Sequence, residues 1–573
     1  MKKILKNALI GLFAGGLMFN TACTDLDETL YDQLNDTNVD LTSPDDLGAM
    51  MGQAIANYRY MNLSWFGYWE LAEQCTDQYM VPFRIGIGWG DLYVNLHKHD
   101  WNYNLGHAEN IWYYAYKCIG YCNLVLDNMS EEQVADRAQL RFFRAMTYYQ
   151  IFDILRNVPI ETTMAVEPGY LPAQSGTTFE EGAKAVYDFC VSELEDIKTE
   201  IGRDKHFGYG NEFAVRMALA KLYLNYNAYF GTTGTDYYEL ALDEASVVID
   251  EGGYVLSEKY SDNFREELGD NQEIIFAIPQ DRTHATHFLL HTYAFPQVGL
   301  EAYGSTATAT NGSCAVPQFI DTYDVDDSRL YETWAMGQQH YAVKNADGTY
   351  TPNAGDPIPY DEDDWAGQGI LTYSNRVHAI DVPGAYKQEG YRMHKYEVVA
   401  DRYGTSSVDM PIFRLADAMF IKAECLLRLG RDKQTAADLV TEVRKRAFPN
   451  SVAKATRTVA DLEAGSVYEY GLDYYPCEGY NNWETHTTTY EGGDDVELGG
   501  LYDDLGWEFV GEMHRRQDMI RFKLKDGRNV YNGKSYFCKT ATTETHWDVF
   551  PIPEAVLRAN ISLKQNPGYT GAE

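Results

Sequence analysis

Between residues 77 and 103 the chain sets flat rings beside planar polar groups: Asp77-Gln-Tyr-Met-Val-Pro-Phe-Arg84, then Trp89-Gly-Asp91, then His97-Lys-His99-Asp-Trp101-Asn102-Tyr103. An indole or phenol face takes up the C–H face of a ring-shaped ligand, while Arg donates hydrogen bonds, a carboxylate accepts them and Asn does both. Asp77, Arg84, Trp101 and Asn102 together make a set suited to a polyhydroxylated ring such as a sugar. Trp89 stands between Gly88 and Gly90, which favours an exposed ring. For any one of these residues the competing reading is plain packing, because Trp is commonly buried for its area alone.

Other groups are weighed the same way. His284, His287 and His291 have the spacing of one helix face, and His97 and His99 form an HxH pair, as zinc ligands can. Neither set has a Cys pair or an HExxH context, so both are read as solvated or hydrogen-bonded histidines and no metal is assigned. The run Asp361, Glu362, Asp363, Asp364 is chemically able to hold a structural Ca²⁺, but such runs are more often solvated loops. Of nine cysteines, Cys118 and Cys122 sit four apart in a helical pattern and are read as small buried groups. The rest show no repeated spacing, so no disulfide framework follows.

These residues need a frame, and composition bounds it. The chain has 573 residues, 45% of them hydrophobic, enough for a large buried core. Its 47 Lys and Arg against 85 Asp and Glu leave a net charge of −38, with no basic block, which argues against a nucleic-acid partner. Tyr, at 45, nearly doubles Phe, at 24, and a ring with a polar tip suits half-wet recognition surfaces.

The first residues read as a targeting segment. Lys2, Lys3 and Lys6 precede an apolar stretch from Ala8 to Phe19, too short to span a bilayer permanently. It runs into Asn20-Thr21-Ala22-Cys23, which resembles a lipobox with Asn in place of the usual Leu. On that reading residues 1–22 are a lipoprotein signal peptide, Cys23 is lipidated and 23–40 form a tether. A plain secretory cleavage site is the alternative. A multiply acylated Cys anchors without any transmembrane helix.

From residue 41 to 573 the chain reads as a single, mainly α domain. Apolar residues recur at three and four in 111–129, 131–156, 179–198, 212–229, 237–250, 411–429 and 432–446. Thr178 with Glu181 has capping-box spacing. Ala220-Lys-Leu-Tyr-Leu followed by Tyr238-Glu-Leu-Ala-Leu, and Ala423-Glu-Cys-Leu-Leu followed by Thr435-Ala-Ala-Asp-Leu, resemble tetratricopeptide helix pairs of an α/α superhelix, without a strict period. Two inserts, about 252–410 and 450–500, have the Gly, Asn, Thr and Tyr texture of loops and short strands.

Five segments carry a family resemblance. Phe550-Pro-Ile-Pro-Glu-Ala with Gln565-Asn-Pro-Gly-Tyr569 closes the chain. Trp507-Glu-Phe-Val-Gly-Glu-Met-His-Arg-Arg516-Gln-Asp518-Met-Ile-Arg521-Phe and Phe413-Arg-Leu-Ala-Asp-Ala-Met-Phe-Ile-Lys-Ala-Glu424 precede it, and Pro317-Gln-Phe-Ile-Asp-Thr-Tyr-Asp324-Val-Asp-Asp327-Ser-Arg329 and Glu273-Ile-Ile-Phe-Ala-Ile lie in the middle. Together with the lipobox they resemble the SusD/RagB family of outer-membrane, glycan-binding lipoproteins of Bacteroidota. The acidic run Asp25, Asp27, Glu28 resembles the surface-export signal of such lipoproteins. Physically the motifs are structural: Arg414, Arg516 and Arg521 beside Asp417 and Asp518 can form ion pairs across helices, and the Pro-rich turns fix chain direction.

The resemblance implies a non-catalytic protein on the cell surface, anchored to the outer membrane by lipid. Such a protein captures oligo- or polysaccharide and passes it to a partner SusC-like TonB-dependent transporter. It places the glycan site largely in the 77–103 loop, with Asp77, Arg84, Trp89, Trp101 and Asn102, and expects a second wall from the middle insert, with Tyr293, Tyr331 and Trp334 as candidates. On that reading Trp101→Ala removes glycan retention and leaves the fold intact. The alternatives are a surface glycoside hydrolase using two carboxylates and a peptide-binding or scaffold protein of the same fold.

Overall fold

The helices form where the apolar period and the capping residues place them. Thr178 accepts from the Glu181 backbone and Glu181 reaches back, a complete capping box at the start of a helix running Phe179–Ile197. Asn211 accepts from the Ala214 amide at the start of the next, and Gly231 ends that helix in the left-handed region. The computed structural model describes residues 43–281, 293–305, 307–360, 369–378, 380, 384–400, 407–475 and 486–571. The leader and tether with Cys23, the His284, His287 and His291 set and the Asp361 to Asp364 run lie outside the described residues.

Two compact units divide the chain, residues 1–49 and 50–573. Helix α1 (Pro44–Leu63) carries the boundary, and the remaining elements belong to the second unit. There α2 (Tyr68–Gln74) and α3 (Gly90–Lys98) precede a run of long helices: α4 (Gly106–Asn128), α5 (Val134–Leu155), α6 (Phe179–Ile197), α7 (Glu212–Phe230) and α8 (Asp236–Glu251). Each packs on the next. After the first insert α9 (Leu415–Leu429) returns to pack on α8, followed by α10 (Lys433–Arg444) on α9, so the stack continues across the insert. The chain is mainly α, as its periodicity predicts.

Two details differ from the sequence expectation. Helix α5 is buried on every side from Phe142 to Leu155, because α4 and α6 flank it and α7 adds a third neighbour. The polar arginines on its other stripe are consumed: Arg141 and Arg144 both donate to Glu193 of α6. Residues 411–414, expected to be helical, instead belong to strand Met410–Arg414, which pairs antiparallel with Ile274–Ile278 around a bulge. Pro411 lacks the N–H a helix interior needs and is tolerated beside that irregularity.

That strand pair brings the family motifs into one buried ionic cluster. Arg414 donates to Glu512 at 2.8 Å, Glu273 at 2.7 Å and Glu508 at 3.2 Å. Arg329 reaches Asp327 and the other oxygen of Glu508, and Arg446 bridges Glu273 and Glu508. Burial alone would raise the Glu273 carboxyl, but Arg446 and Arg414 outweigh it and hold it at about 2. The expected Arg521–Asp518 pair forms at 2.6 Å. The other expected pairings do not: Asp417 pairs with Lys221 and Arg516 with Asp153, because α7 and α5 supply closer partners than the motif's own helix.

The closing motif caps a helix. Phe550 N donates to Ile154 O and Asn566 Nδ2 to Leu155 O, satisfying carbonyls left over at the end of α5. Gln565 holds both backbone groups of Ile552, tying the two Pro-containing turns together.

Candidate functional site

Trp89 is presented by a hairpin-like turn. Arg84 and Gly88 exchange two backbone hydrogen bonds of 3.1 Å, with Gly86 and Gly88 both at positive φ. Trp89 itself sits at φ 72 ahead of α3, a conformation that costs a non-glycine residue about 1–2 kcal/mol and persists only where its surroundings fix it. They do so here. Its Nε1 donates to Thr310 O at 3.0 Å, and its ring meets Tyr293 edge-on at 5.0 Å and Tyr93 at 5.5 Å. A Cβ on Gly312 would stand 3.0 Å from Trp89 Cε2, so only glycine lets the indole lie this close to that backbone.

A pocket of about 800 Å³ opens beside it, lined by Gly86, Ile87 and Trp89 on one side and by segments of the middle insert on the other. Those segments are laced together: Asn311 N donates to Phe295 O, Gly312 N to Tyr293 O, and Gln297 bonds both Ala307 O and Ala309 N. Asn311, in the left-handed region at φ 51, donates to Lys387 O and accepts from Arg392. Pro359, Tyr360 and Lys387 complete the wall. The arrangement joins apolar and aromatic surface to polar groups already oriented, which suits a ligand with both C–H faces and hydroxyls.

The sequence-predicted residues divide sharply. Trp89 lines the pocket. Tyr293 is buried directly behind it, out of reach of solvent, and acts as its support. Arg84 is fully buried: it donates to Gly312 O, Tyr386 O and Glu389 O, clamping together the two segments that carry Asn311 and Lys387 into the pocket wall. Burial, with Arg392 close by, pushes its guanidinium down to about 10. Arg84 therefore positions the wall and offers no face to a ligand, a correction to its expected role.

Asp77, Trp101 and Trp334 are corrected likewise. Asp77 is buried, pairs with Arg515 at 2.7 Å and accepts from Tyr470 and Tyr502, leaving no oxygen open. Trp101 is 5% exposed and packs on Phe550 and Trp547 of the C-terminal segment. Trp334 is buried in a strand paired with Arg392–Met393, its ring 6.0 Å from Tyr79. All three spend their area or charge on the core, which an adjacent polar residue in sequence does not reveal. Asn102 is exposed but closes a local turn onto the Asn104 amide. Tyr331 is 53% exposed, with its hydroxyl on Val325 O, and does not line this pocket. His97 is buried against Tyr536 and Phe537, and burial lowers it to about 3, so it is held neutral. Among the described residues no group of acids, His and Cys is arranged to hold a metal.

Sequence reasoning missed Trp65, Ile87 and the wall residues 296–298, 309–311, 359, 360 and 387. Trp65 lies parallel to Trp89, ring planes 15° apart and centroids 5.6 Å apart. Its sequence cue is slight: a Trp-Phe-Gly67 run after a helix. The wall residues are scattered through a long insert and carry no periodic signal.

Comparisons with known proteins agree with this architecture. The sequence model of the SusD family matches residues 251–569. The chain is 25% identical over 465 residues to the starch-binding protein SusD of Bacteroides thetaiotaomicron, covering 76% of this chain and 73% of that protein. It is 23% identical to a SusD-like protein of Bacteroides ovatus, with 99% of each covered. A SusD superfamily protein from Parabacteroides distasonis shares the fold with a TM-score of 0.66 at 19% identity, over 92% of this chain and all of that one. Surface glycan-binding protein A from Bacteroides thetaiotaomicron, solved with laminarihexaose, does so with a TM-score of 0.60 at 16% identity, over 91% and 99%. With more than half its length matched by the family's sequence model, and its motifs meeting in one buried ionic cluster, the chain belongs to the SusD family.

Proposed function

We propose that this chain is a non-catalytic, lipid-anchored protein of the outer cell surface that captures oligo- or polysaccharide in the Trp89 pocket. It then yields the glycan to a SusC-like TonB-dependent transporter. The observation that carries the reading is the indole of Trp89, held at a strained backbone angle on the wall of a pocket of about 800 Å³. Strain of that kind is retained where a side chain must be displayed. Relatives that bind starch or laminarin, by their names, support the ligand class. Reversible capture follows from the chemistry: stacking and shared hydroxyl bonds are individually weak, so affinity accumulates along a chain and release stays easy.

Electrophoresis of the purified protein through gels containing each of a panel of polysaccharides tests the ligand. Retardation in at least one gel is expected, and loss of that retardation in Trp89→Ala locates it. Unchanged mobility in every gel would overturn the binding reading. Reducing ends released from a retained polysaccharide would overturn the non-catalytic part, since a hydrolase needs only two carboxylates roughly 5–10 Å apart. Cys23→Ser is expected to move the protein from the membrane to the soluble fraction; retention in the membrane would remove the lipid anchor.

A further inference from the structure

The buried arginines Arg329, Arg414, Arg515, Arg516 and Arg521 each meet a carboxylate. Arg84 and Arg392, behind the Trp89 pocket, are fully buried and meet none. Arg84 donates to Gly312 O, Tyr386 O and Glu389 O. Arg392 donates to Glu389 O at 2.6 Å, to Gly390 O, to Lys387 O at 2.8 Å and to Asn311 Oδ1 at 3.0 Å. Every acceptor is an uncharged carbonyl. The carboxylate of Glu389 lies in the same segment, but its oxygens take the His378 ring and the His378 and Tyr386 amides. Carbonyl dipoles satisfy the N–H groups yet carry only partial charge, so most of two full charges is left in a low-dielectric wall. The effect shows at Arg84, whose guanidinium is pushed down to about 10 by burial and then by the like charge of Arg392.

That charge stands directly behind the pocket lining. Asn311 and Lys387 line the pocket and both accept from Arg392, and Gly312, next after Asn311, accepts from Arg84. Lys387 brings a third cation onto the wall itself, and no acid stands among the described lining residues. On a chain of net charge −38 this reverses what the composition gives. A buried cation without a counter-ion is disfavoured by its desolvation, and an anion arriving beside it offsets that penalty, so the pocket favours an anion over a neutral group of the same shape.

We infer that the glycan taken by the Trp89 pocket is an acidic one, carrying a carboxylate or a sulfate ester whose charge is met by Lys387 on the wall and by Arg84 and Arg392 behind it. The inference rests on the glycan reading of the pocket and adds the charge of the ligand. Lys387 is the contact residue; Arg84 and Arg392 act through the wall they hold.

The test is calorimetry with oligogalacturonate, a glucuronate-bearing xylan fragment and a sulfated galactan fragment, each beside its own carboxyl-reduced or desulfated counterpart. Wild type is expected to bind at least one acidic member at least about tenfold more tightly than its neutral counterpart, the weight of one charged hydrogen bond, and the uronate and sulfate pairs tell the two groups apart. Lys387→Met is expected to bring that ratio close to one, and Lys387→Arg to keep most of it. Arg392→Met also loosens the wall, so there the ratio is read and not the affinity: a purely structural Arg392 lowers both members alike, whereas loss of its charge lowers the acidic member more. Neutral counterparts bound as tightly as acidic ones by wild type would overturn the inference and leave the glycan reading standing. That is the result expected if the run Asp361 to Asp364, which follows Tyr360 of the wall in sequence, sets the charge the ligand meets. A ratio unchanged in both Lys387→Met and Arg392→Met, or retention by neutral polysaccharides alone, would overturn it in the same way. No binding of any polysaccharide, acidic or neutral, would overturn the glycan reading and this inference with it.

Discussion

The indole Nε1 of Trp101 donates to the phenol oxygen of Tyr569 at 2.7 Å, and that same oxygen donates onward to Val549 O. A loop near the start of the chain is thereby fastened to its closing motif, 468 residues away. The interaction reassigns a residue expected to touch ligand.

Trp101→Ala is accordingly expected to act on stability. Removing a buried Trp costs about 3–5 kcal/mol, and here Tyr569 also loses a partner. Thermal or urea unfolding should show the loss, while the fraction that folds keeps polysaccharide retention in gels. A variant as stable as wild type, or one folded but not retained, would return Trp101 to the site.

Asp77 and Arg515 give a parallel case. Asp77→Ala leaves a buried guanidinium without its carboxylate, which typically costs about 3–5 kcal/mol. Tyr470 and Tyr502 lose an acceptor at the same time. A lowered urea midpoint with unchanged glycan affinity is the expected outcome from chemical unfolding and calorimetry on one preparation.

Gly312→Ala probes the pocket without removing an aromatic ring. The added methyl would lie 2.8 Å from Tyr293 O and 3.0 Å from Trp89 Cε2, so backbone or indole must move. Overpacking of this kind costs about 1–3 kcal/mol. Glycan affinity is expected to fall roughly tenfold as the indole tilts. Trp89 fluorescence that stays at the wild-type wavelength with full affinity would show that the wall yields elsewhere.

Glu73 makes stability depend on pH. Burial pushes its carboxyl from 4.5 up to about 7, against the opposing pull of the Met513 and Gly511 amides and Lys395. Below 4.5 both folded and unfolded chains hold the proton and its stabilising contribution is complete. As pH rises the unfolded chain ionises first, so the contribution drains away and is gone above about 7. Glu73→Gln is expected to lose less stability than wild type between about pH 5 and about pH 8, by some 2–3 kcal/mol from a shift of this size. Buried Asp503, also raised to about 7, keeps a similar slope in both proteins, so the difference between them isolates Glu73. Parallel stability curves for the two would remove it.

The order of types along the chain was enough for the frame. Apolar residues at three and four, Thr178 with Glu181 and the Pro-containing closing turns are local signals, because a helix and its caps are decided by neighbours within a turn. Family membership was legible for a related reason: Glu273, Asp327, Arg329, Arg414 and Glu508 stand in contiguous motifs whose residue types a buried ionic cluster demands. The glycines beside Trp89 pointed to an exposed ring; the structure has it half-buried on the pocket wall, packed on Tyr93 and Tyr293.

Which polar and aromatic residues face solvent was decided only by tertiary contacts. Asp77 and Trp101 have the residue types of a sugar site, but Arg515 and Tyr569, each more than four hundred residues on, take their hydrogen-bonding capacity. Trp65 was silent in sequence because its setting depends on Asn110 of α4, on Glu70 of α2, which holds the neighbouring Phe66 amide, and on Tyr293 of a distant insert. A side chain's chemistry is local, whereas the share of it left for a ligand is what remains after the rest of the fold has been satisfied.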